Sequence, residues 1–312
     1  MGRVPPMSEA YEEFGLLADN AREVGLAWNG RPAVVRREAR MRDGRTLSAV
    51  VWGSGPPSAV LIHGRSQNAH TWDTVALALL ADDPNRAFVA VDLPGHGHSQ
   101  WKDDHDYRAE ANAPDVLVAA DALAPQARLL VGMSLGGLTS LALLGDAPKR
   151  FDRLILVDIT PGVNPGKGRA IAEFTSGPER FASFDEILER TVRYNPGRSE
   201  ASLRRGVLHN AREFPDGSWS WRWDPGRPAV APGSLAPLWD VLGELTLPLT
   251  LVRGSASPVV DDDDVAELVR RRPDAEVVVV EGAGHSIQGD RPLELAELLS
   301  ARWPTPSARE RP

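Results

Sequence analysis

The sequence predicts an α/β fold in which a mostly parallel central sheet is flanked by helices and interrupted by one inserted segment. Short apolar runs alternate with longer helical patterns along the chain, and each run is followed by residues suited to chemistry. The stretch 158–247 breaks this rhythm, because it shows no apolar run typical of a buried strand and holds four of the nine tryptophans. A chain of 312 residues with 42% hydrophobic residues suits one main domain plus such an insertion.

The chain opens with a predicted helical extension, residues 1–32, followed by a strand hairpin. Apolar residues at helical spacing predict a helix over Ser8–Val24. Strand-like residue patterns follow at Ala33–Met41 and Thr46–Trp52. The turn between them contains an Asp-Gly pair, which favours a tight hairpin. We expect this hairpin to begin the core, which we assign to residues 33–159 and 246–303.

The rest of the core is predicted from six apolar runs and five helical patterns. The strands are predicted at Ser58–Ile62, Ala87–Val91, Ala127–Gly132, Arg153–Val157, Leu249–Arg253 and Glu276–Val280. The helices are predicted at Trp72–Ala81, Ala109–Leu123, Leu135–Leu144, Asp262–Arg271 and Pro292–Trp303. Ligands of such sheets bind beyond the carboxyl ends of the strands, so the loops after these runs are the places to look for function.

The inserted segment, residues 160–245, is predicted to form a helical lid over the strand ends. Within it, Arg180–Tyr194 and Ser199–Phe214 have helical patterns. Three tryptophans stand at every second position, at Trp219, Trp221 and Trp223. They either line an apolar substrate pocket or form a small core of the lid itself. For any single tryptophan we favour the core. The tail 304–312 is polar and proline-rich, which predicts disorder.

Composition excludes several classes of function. The net charge of -8 argues against a surface that binds nucleic acid. The absence of cysteine removes disulfides, thiolate nucleophiles and cysteine-ligated zinc from consideration. The sequence shows neither a signal-peptide pattern nor an apolar stretch of roughly 18 residues, so we expect a cytoplasmic protein without a membrane partner. We expect a monomer or homodimer that acts on a small molecule.

The strongest motif is a serine in a Gly-x-Ser-x-Gly pattern, Gly132-Met-Ser134-Leu-Gly136, directly after an apolar run and before a helical one. A serine there lies on a sharp strand-to-helix turn, and the two glycines leave the room that this turn requires. The start of the following helix can stabilise a negative oxygen. Ser134 is therefore the predicted nucleophile, and the Leu135 amide one predicted oxyanion donor.

Two further loops supply a second oxyanion donor and a general base. After the run that ends at Ile62, the turn His63-Gly-Arg65 suits a loop whose third amide points at the nucleophile, so the Arg65 amide is the second predicted donor. We expect His63 to brace this loop by hydrogen bonds. The Arg65 side chain either reaches solvent, which we favour, or contacts an anionic group of the substrate. Near the other end, Gly284-His285 follows the last strand in a glycine-rich loop, and imidazole has a pKa suited to a base near neutral pH.

Over most of residues 33–303, the sequence resembles the lid-bearing α/β-hydrolase family and its serine esterase-like members. Four motifs carry the resemblance: His63-Gly-Arg65, Asp92-Leu-Pro-Gly-His-Gly-His-Ser99, Gly132-Met-Ser-Leu-Gly-Gly137 and Gly282-Ala-Gly-His285. The resemblance implies an α/β-hydrolase fold with a lid after the strand that follows the nucleophile helix. It also implies that the second motif is a structural loop, so His96 and His98 receive no catalytic role.

The carboxylate that orients His285 has more than one candidate. By resemblance its usual position is three residues after Gly254, but Ser257 stands there, and the first acidic residue beyond it is Asp261. Asp261 is well explained as a helix N-cap. Asp158 ends a buried apolar strand, where an unpaired charge is costly and a histidine would be a partner. We favour Asp158, with Asp261 as runner-up; Asp262, or no acid at all, stays open.

The predicted activity is cleavage of a small hydrophobic carboxylic ester or thioester through an acyl-enzyme intermediate, with no metal or organic cofactor. Relatives that open epoxides or displace halide carry aspartate at the nucleophile position, and Ser134 disfavours those activities. One alternative is hydrolysis of a carbon–carbon bond in diketo acids. Another is an acyl transferase or cyclase that uses the same serine. An alternative of another class is a ligand-binding protein that keeps the fold without the chemistry.

Overall fold

The computed structural model describes residues 11–162, 177–195, 197–225 and 235–304. The strands are β1 Val34–Arg40, β2 Thr46–Trp52, β3 Ala59–Ile62, β4 Phe88–Val91, β5 Leu129–Met133, β6 Arg153–Val157, β7 Ala211–Glu213, β8 Trp219–Trp221, β9 Leu249–Gly254 and β10 Glu276–Val280. The helices are α1 Leu17–Glu23, α2 Asp73–Asp82, α3 Ala109–Leu123, α4 Leu135–Asp146, α5 Phe184–Tyr194, α6 Glu200–Asn210, α7 Ala236–Glu244, α8 Asp262–Arg271, α9 Ile287–Asp290 and α10 Pro292–Ala301. A short 3-10 helix, Ala69–Trp72, precedes α2.

Eight strands form one sheet in the order β1-β2-β4-β3-β5-β6-β9-β10. The pairs β1–β2 and β2–β4 are antiparallel, and the five remaining pairs are parallel. The carboxyl ends of β5, β6, β9 and β10 therefore meet at one edge of the sheet. Ser134 follows β5 and Asp158 follows β6, its neighbour, so the topology brings these two residues together.

In the centre of the sheet both faces are buried, which explains why the central strands are apolar throughout. All residues of β3, β4 and β5 are buried. Successive side chains point to opposite faces, and in β3 Leu61 belongs to the apolar cluster that includes α2 and α10 while Ile62 belongs to the cluster that includes α3 and α4. No helix among the described residues is long and apolar enough to cross a membrane.

The N-terminal helix is shorter than the sequence predicts. The predicted span Ser8–Val24 is wrong at its start, because the helix is Leu17–Glu23; residues 8–10 lie outside the described residues. Gly15, a poor helix former, lies just before it and donates its amide to Glu12 O in a turn. The segment ahead of this turn is held by its side chains, since the Tyr11 hydroxyl lies 2.6 Å from His209 Nδ1.

Ahead of α7, the described part of the inserted segment contains two helices, α5 and α6, and the hairpin β7–β8. The predicted helix Ser199–Phe214 is wrong beyond Asn210, because Ala211–Glu213 pairs with Trp219–Trp221 as strands. All three tryptophans of the alternating stripe are buried in a cluster of their own, with Phe181 and Phe184 among their neighbours. These side chains form the small core predicted for the lid, and Trp221 and Trp223 also line a cavity.

The last part of the predicted lid range belongs to the main core. Helix α7, Ala236–Glu244, packs against α4, and its residues Leu238, Trp239 and Leu242 are members of the cluster that also contains α3 and α4. The part of the inserted segment that has an apolar cluster of its own therefore ends before α7. Residues 163–176, 196 and 226–234 of the predicted lid, and residues 305–312 of the predicted tail, lie outside the described residues.

Candidate active site

The turn between β5 and α4 places Ser134 in a strained backbone conformation. Its φ is 51° and its ψ is -120°, a combination that costs a non-glycine residue on the order of 1–3 kcal/mol. The flanking glycines make the turn possible. A Cβ on Gly132 would lie 2.6 Å from Gly136 O, and a Cβ on Gly136 would lie 2.4 Å from Ile62 O, so neither position has room for a side chain.

Ser134, His285 and Asp158 form a hydrogen-bonded chain. His285 Nε2 lies 3.0 Å from Ser134 Oγ, and His285 Nδ1 lies 2.7 Å from Asp158 Oδ2. An ionised carboxylate can only accept hydrogen bonds, so Asp158 fixes the imidazole proton on Nδ1. The lone pair of Nε2 then faces the serine hydroxyl, which is the arrangement that removes a proton from a nucleophile.

Asp158 is held at the end of β6 by three donors. The residue is fully buried and has a φ of 52°, so its backbone is in the left-handed region. Its Oδ1 accepts from Gly254 N at 2.9 Å, and its Oδ2 accepts from Ser257 Oγ as well as from His285. In the sequence, Ser257 is only a departure from the expected acid. The structure shows that the Ser257 hydroxyl contacts Asp158, the acidic residue at the end of β6.

The two other acidic candidates lie at the start of α8. Asp261 accepts from the amides of Asp263 and Asp264, while the Asp264 side chain accepts from Asp261 N, which makes a reciprocal capping box. Asp262 pairs with Arg253 at 2.7 Å. The structure therefore joins Asp158 to His285 and shows Asp261 as the helix cap that its sequence position suggests.

The loop after β3 borders the nucleophile. A Cβ on Gly64 would lie 3.1 Å from Ser134 Cβ, so this backbone passes directly against the serine. His63 is fully buried and braces the loop, because its Nδ1 lies 2.7 Å from Gly64 O and its Nε2 accepts from Leu93 N at 2.9 Å. Arg65 is exposed as a residue, although surrounding protein atoms partly desolvate its guanidinium and lower its pKa. Leu135 is the first residue of α4, so its amide lies at the helix N-terminus beside Ser134.

Gln67 joins this loop to the histidine loop, a role that the sequence analysis missed. Its Oε1 accepts from Gly64 N at 3.1 Å and from Gln288 Nε2 at 3.3 Å. Its Nε2 donates to Ser286 Oγ at 3.4 Å, next to His285. Arg65, whose amide is the second predicted oxyanion donor, is the next residue along this loop. No sequence motif marks Gln67.

His96 and His98 lie in the loop after β4, and both have depressed pKa values. Burial lowers the pKa of His96 to about 3, and burial together with the positive charge of Arg36 lowers that of His98 to about 4. Both imidazoles are therefore neutral at pH 7. His96 Nδ1 lies 2.9 Å from Pro94 O, a contact that shapes the loop itself.

Among the described residues, one buried group has the composition of a metal site: His70, Asp73 and His209, whose ligand atoms lie within 4.8 Å of one another. The two imidazole rings stack, however, with centroids 3.9 Å apart and 10° between their planes. An imidazole binds a metal in its ring plane, so two stacked rings do not aim their lone pairs at one ion. His70 instead bridges two carboxylates, Asp73 at 2.9 Å and Glu13 at 3.0 Å.

Comparison with known proteins identifies the family. The family model described as "Alpha/beta hydrolase family" matches residues 59–298. The chain belongs to the alpha/beta hydrolase family. This hydrolase is 42% identical over 296 residues to the esterase Rv0045c of Mycobacterium tuberculosis, a match that covers 92% of this chain and 94% of that protein. It is 27% identical to the 3-hydroxybutyrate-oligomer hydrolase of Cupriavidus necator, over 78% of this chain and 88% of that one.

Solved structures agree with the fold of this hydrolase. A structure of M. tuberculosis Rv0045c superposes with a TM-score of 0.82 at 40% identity and covers 93% of this chain and 98% of that one. E-2-(acetamidomethylene)succinate hydrolase superposes with a TM-score of 0.77 at 25% identity, over 86% of this chain and 98% of that one. The predictions of family, fold class and hydrolase activity are confirmed.

Proposed function

We propose that this protein is a serine esterase in which Ser134 attacks the acyl carbon of a small ester or thioester. The observation that carries the proposal is the continuous chain of hydrogen bonds from Ser134 through His285 to the buried Asp158. The family membership and the 42% identity to a named esterase support the same reaction class.

In the proposed mechanism, His285 Nε2 takes the proton of Ser134 as its Oγ bonds to the acyl carbon. The carbonyl oxygen becomes negative and is stabilised by the amides of Leu135 and Arg65. The imidazolium, paired with Asp158, then gives its proton to the leaving alcohol or thiol. A water molecule attacks the acyl-enzyme, His285 takes a proton from that water, and the acid leaves as Ser134 regains its own proton.

The inserted segment is proposed to border the substrate as a lid. Helix α6 contacts the loop that carries Arg65, because Asn210 Nδ2 donates to Ser66 O at 2.6 Å and Asn68 Nδ2 donates to His209 O at 3.1 Å. A segment fastened to the oxyanion loop is well placed to define the shape of the acyl site. We also propose a small-molecule substrate and a cytoplasmic location. The lid of this proposal ends before α7, because α7 packs in the main core.

The test is labelling of the purified protein with a fluorophosphonate probe, together with turnover of short p-nitrophenyl esters. Ser134→Ala is expected to abolish labelling, and Asp158→Asn to lower kcat by about 10⁴-fold, because the wrong imidazole tautomer then faces the serine. Asp261→Asn is the matched control, since it removes a carboxylate at the start of α8 and is expected to leave kcat unchanged.

The same assays, with a diketo acid added as a further substrate, separate ester hydrolysis from carbon–carbon bond hydrolysis and from ligand binding. Turnover of a diketo acid without ester turnover would favour carbon–carbon bond hydrolysis. A wild-type protein that neither labels nor turns over any ester would remove the main support for the serine mechanism, and the ligand-binding interpretation would then lead. Full activity in Asp158→Asn would show that another group orients His285.

A further inference from the structure

Ser257 occupies the position at which the family pattern predicts the catalytic acid. Its hydroxyl contacts Asp158, the acidic residue that follows β6. We propose that Ser257 is a positioning residue that fixes the Asp158 carboxylate for its hydrogen bond with His285. The inference rests on the proposed function, because it assigns Ser257 a role only through Asp158. It does not give Ser257 a contact with the substrate.

The hydrogen bonds of Ser257 determine the direction of its hydroxyl. Its Oγ accepts from Val259 N at 3.1 Å, which occupies an oxygen lone pair. Its other polar contact is with Asp158 Oδ2, and a carboxylate oxygen can only accept. The hydroxyl hydrogen therefore points at Asp158. A hydrogen bond from a neutral donor to a buried carboxylate is stronger than one between two neutral groups.

The two carboxylate oxygens of Asp158 are held from two directions. Gly254 N donates to Oδ1, and Ser257 and His285 both donate to Oδ2. Rotation of the carboxylate about its Cβ–Cγ bond would break contacts on both oxygens at once. Without the Ser257 hydroxyl, Oδ2 keeps His285 alone, and the buried carboxylate loses a donor that no water replaces if the site stays closed.

The loop that carries Ser257 is itself anchored to the histidine loop. Ser257 N donates to Gly254 O, Ala256 N donates to Ala283 O at 2.9 Å, and Ser255 N donates to Val280 O at 3.0 Å. Asp158, Ser257 and His285 thus reach the site from three neighbouring strands, β6, β9 and β10. The hydroxyl is fixed relative to both residues that it is proposed to align.

Ser257→Ala is expected to lower kcat for p-nitrophenyl esters by roughly 10-fold, the size expected for loss of one hydrogen bond to a charged group. KM is expected to change less than about twofold, because Ser257 lies behind Asp158 and not against the substrate. Ser257→Thr keeps a hydroxyl and is expected to recover most of the lost rate. Ser255→Ala is the matched control: its hydroxyl accepts from Gly282 N and does not contact Asp158.

A double-mutant cycle separates positioning from general damage to the fold. If Ser257 acts through Asp158, adding Ser257→Ala to Asp158→Asn is expected to cost less than about twofold in kcat. Equal losses from Ser257→Ala in both backgrounds, or a Ser257→Ala enzyme with unchanged kcat, would overturn the inference. Failure of Asp158→Asn to lower kcat would instead refute the proposed triad, so the two failures are distinguishable.

Discussion

The buried imidazole of His70 predicts that the protein loses stability between pH 6.5 and 9. Burial alone lowers the pKa of His70, but the negative charge and hydrogen bond of Asp73, with the hydrogen bond to Glu13, raise it from 6.5 to about 9. The folded protein therefore keeps this proton after the unfolded chain has released it. The stabilisation is fully present below pH 6.5 and is lost as the pH rises through 9.

The magnitude follows from the two pKa values of His70. At about 1.4 kcal/mol per pH unit, the interval from 6.5 to about 9 corresponds to about 3 kcal/mol of unfolding free energy. His96 and His98, whose pKa values are lowered, act in the opposite direction, but only below pH 6.5. Above pH 7 the fall of the unfolding free energy with pH should therefore reflect the titration of His70. The unfolding free energy should be largest near pH 6.5–7.

The assay is urea unfolding followed by tryptophan fluorescence at half-unit steps from pH 6.5 to 9.5. His70→Gln removes the titrating group, so its unfolding free energy is expected to be lower at pH 6.5 and nearly constant up to pH 9. His98→Gln is the matched control, because His98 is neutral across this range and its loss should leave the wild-type slope. A flat wild-type profile, or a His70→Gln profile as steep as wild type, would refute the reasoning.

Three further predictions concern a glycine at the site, a glycine in α6 and the cap of α8. Gly136→Ala is expected to give little soluble protein and no esterase activity, because its Cβ would lie 2.4 Å from Ile62 O and 2.5 Å from His63 O. Gly206→Ala in α6 has open space and should instead raise the unfolding free energy by up to about 1 kcal/mol, as measured by urea unfolding. Asp261→Ala is expected to lower the unfolding free energy by about 1 kcal/mol through loss of the α8 cap, with kcat/KM within about twofold of wild type. A large loss of kcat/KM in that variant would show that α8 contributes to catalysis.

The central strands could be predicted closely from the sequence because they are buried on both faces. The predicted run Arg153–Val157 coincides with β6 for this reason. The run Glu276–Val280 coincides with β10, an edge strand with only its last residue buried, because four consecutive valines favour a strand. Prediction was less successful for Ser8–Val24 and for Ser199–Phe214. In both segments the conformation depends on long-range contacts, such as the pairing of β7 with β8, that local periodicity does not encode.

The site residues differ in how strongly their neighbours in the sequence specify them. The glycines around Ser134 specify the turn directly, so the sequence marks that residue without help from the rest of the fold. Asp158 could be favoured only because a buried charge needs a partner, and the strand order that supplies this partner is a property of the whole sheet. Gln67 and the hydroxyl of Ser257 act through contacts between separate loops, and nothing in their neighbouring residues reveals those contacts.

Within the part of the chain that the structure describes, the aromatic cluster around Trp219 and Trp221 shares no residue with the two clusters that cover the sheet. A change of side-chain volume in this cluster can thus be absorbed by repacking that stays local. The strand ends that hold Ser134 and Asp158 would keep their spacing while the neighbouring surface changes. In evolutionary terms, this separation lets residues of the proposed lid vary by point substitution while the geometry at the strand ends is inherited unchanged.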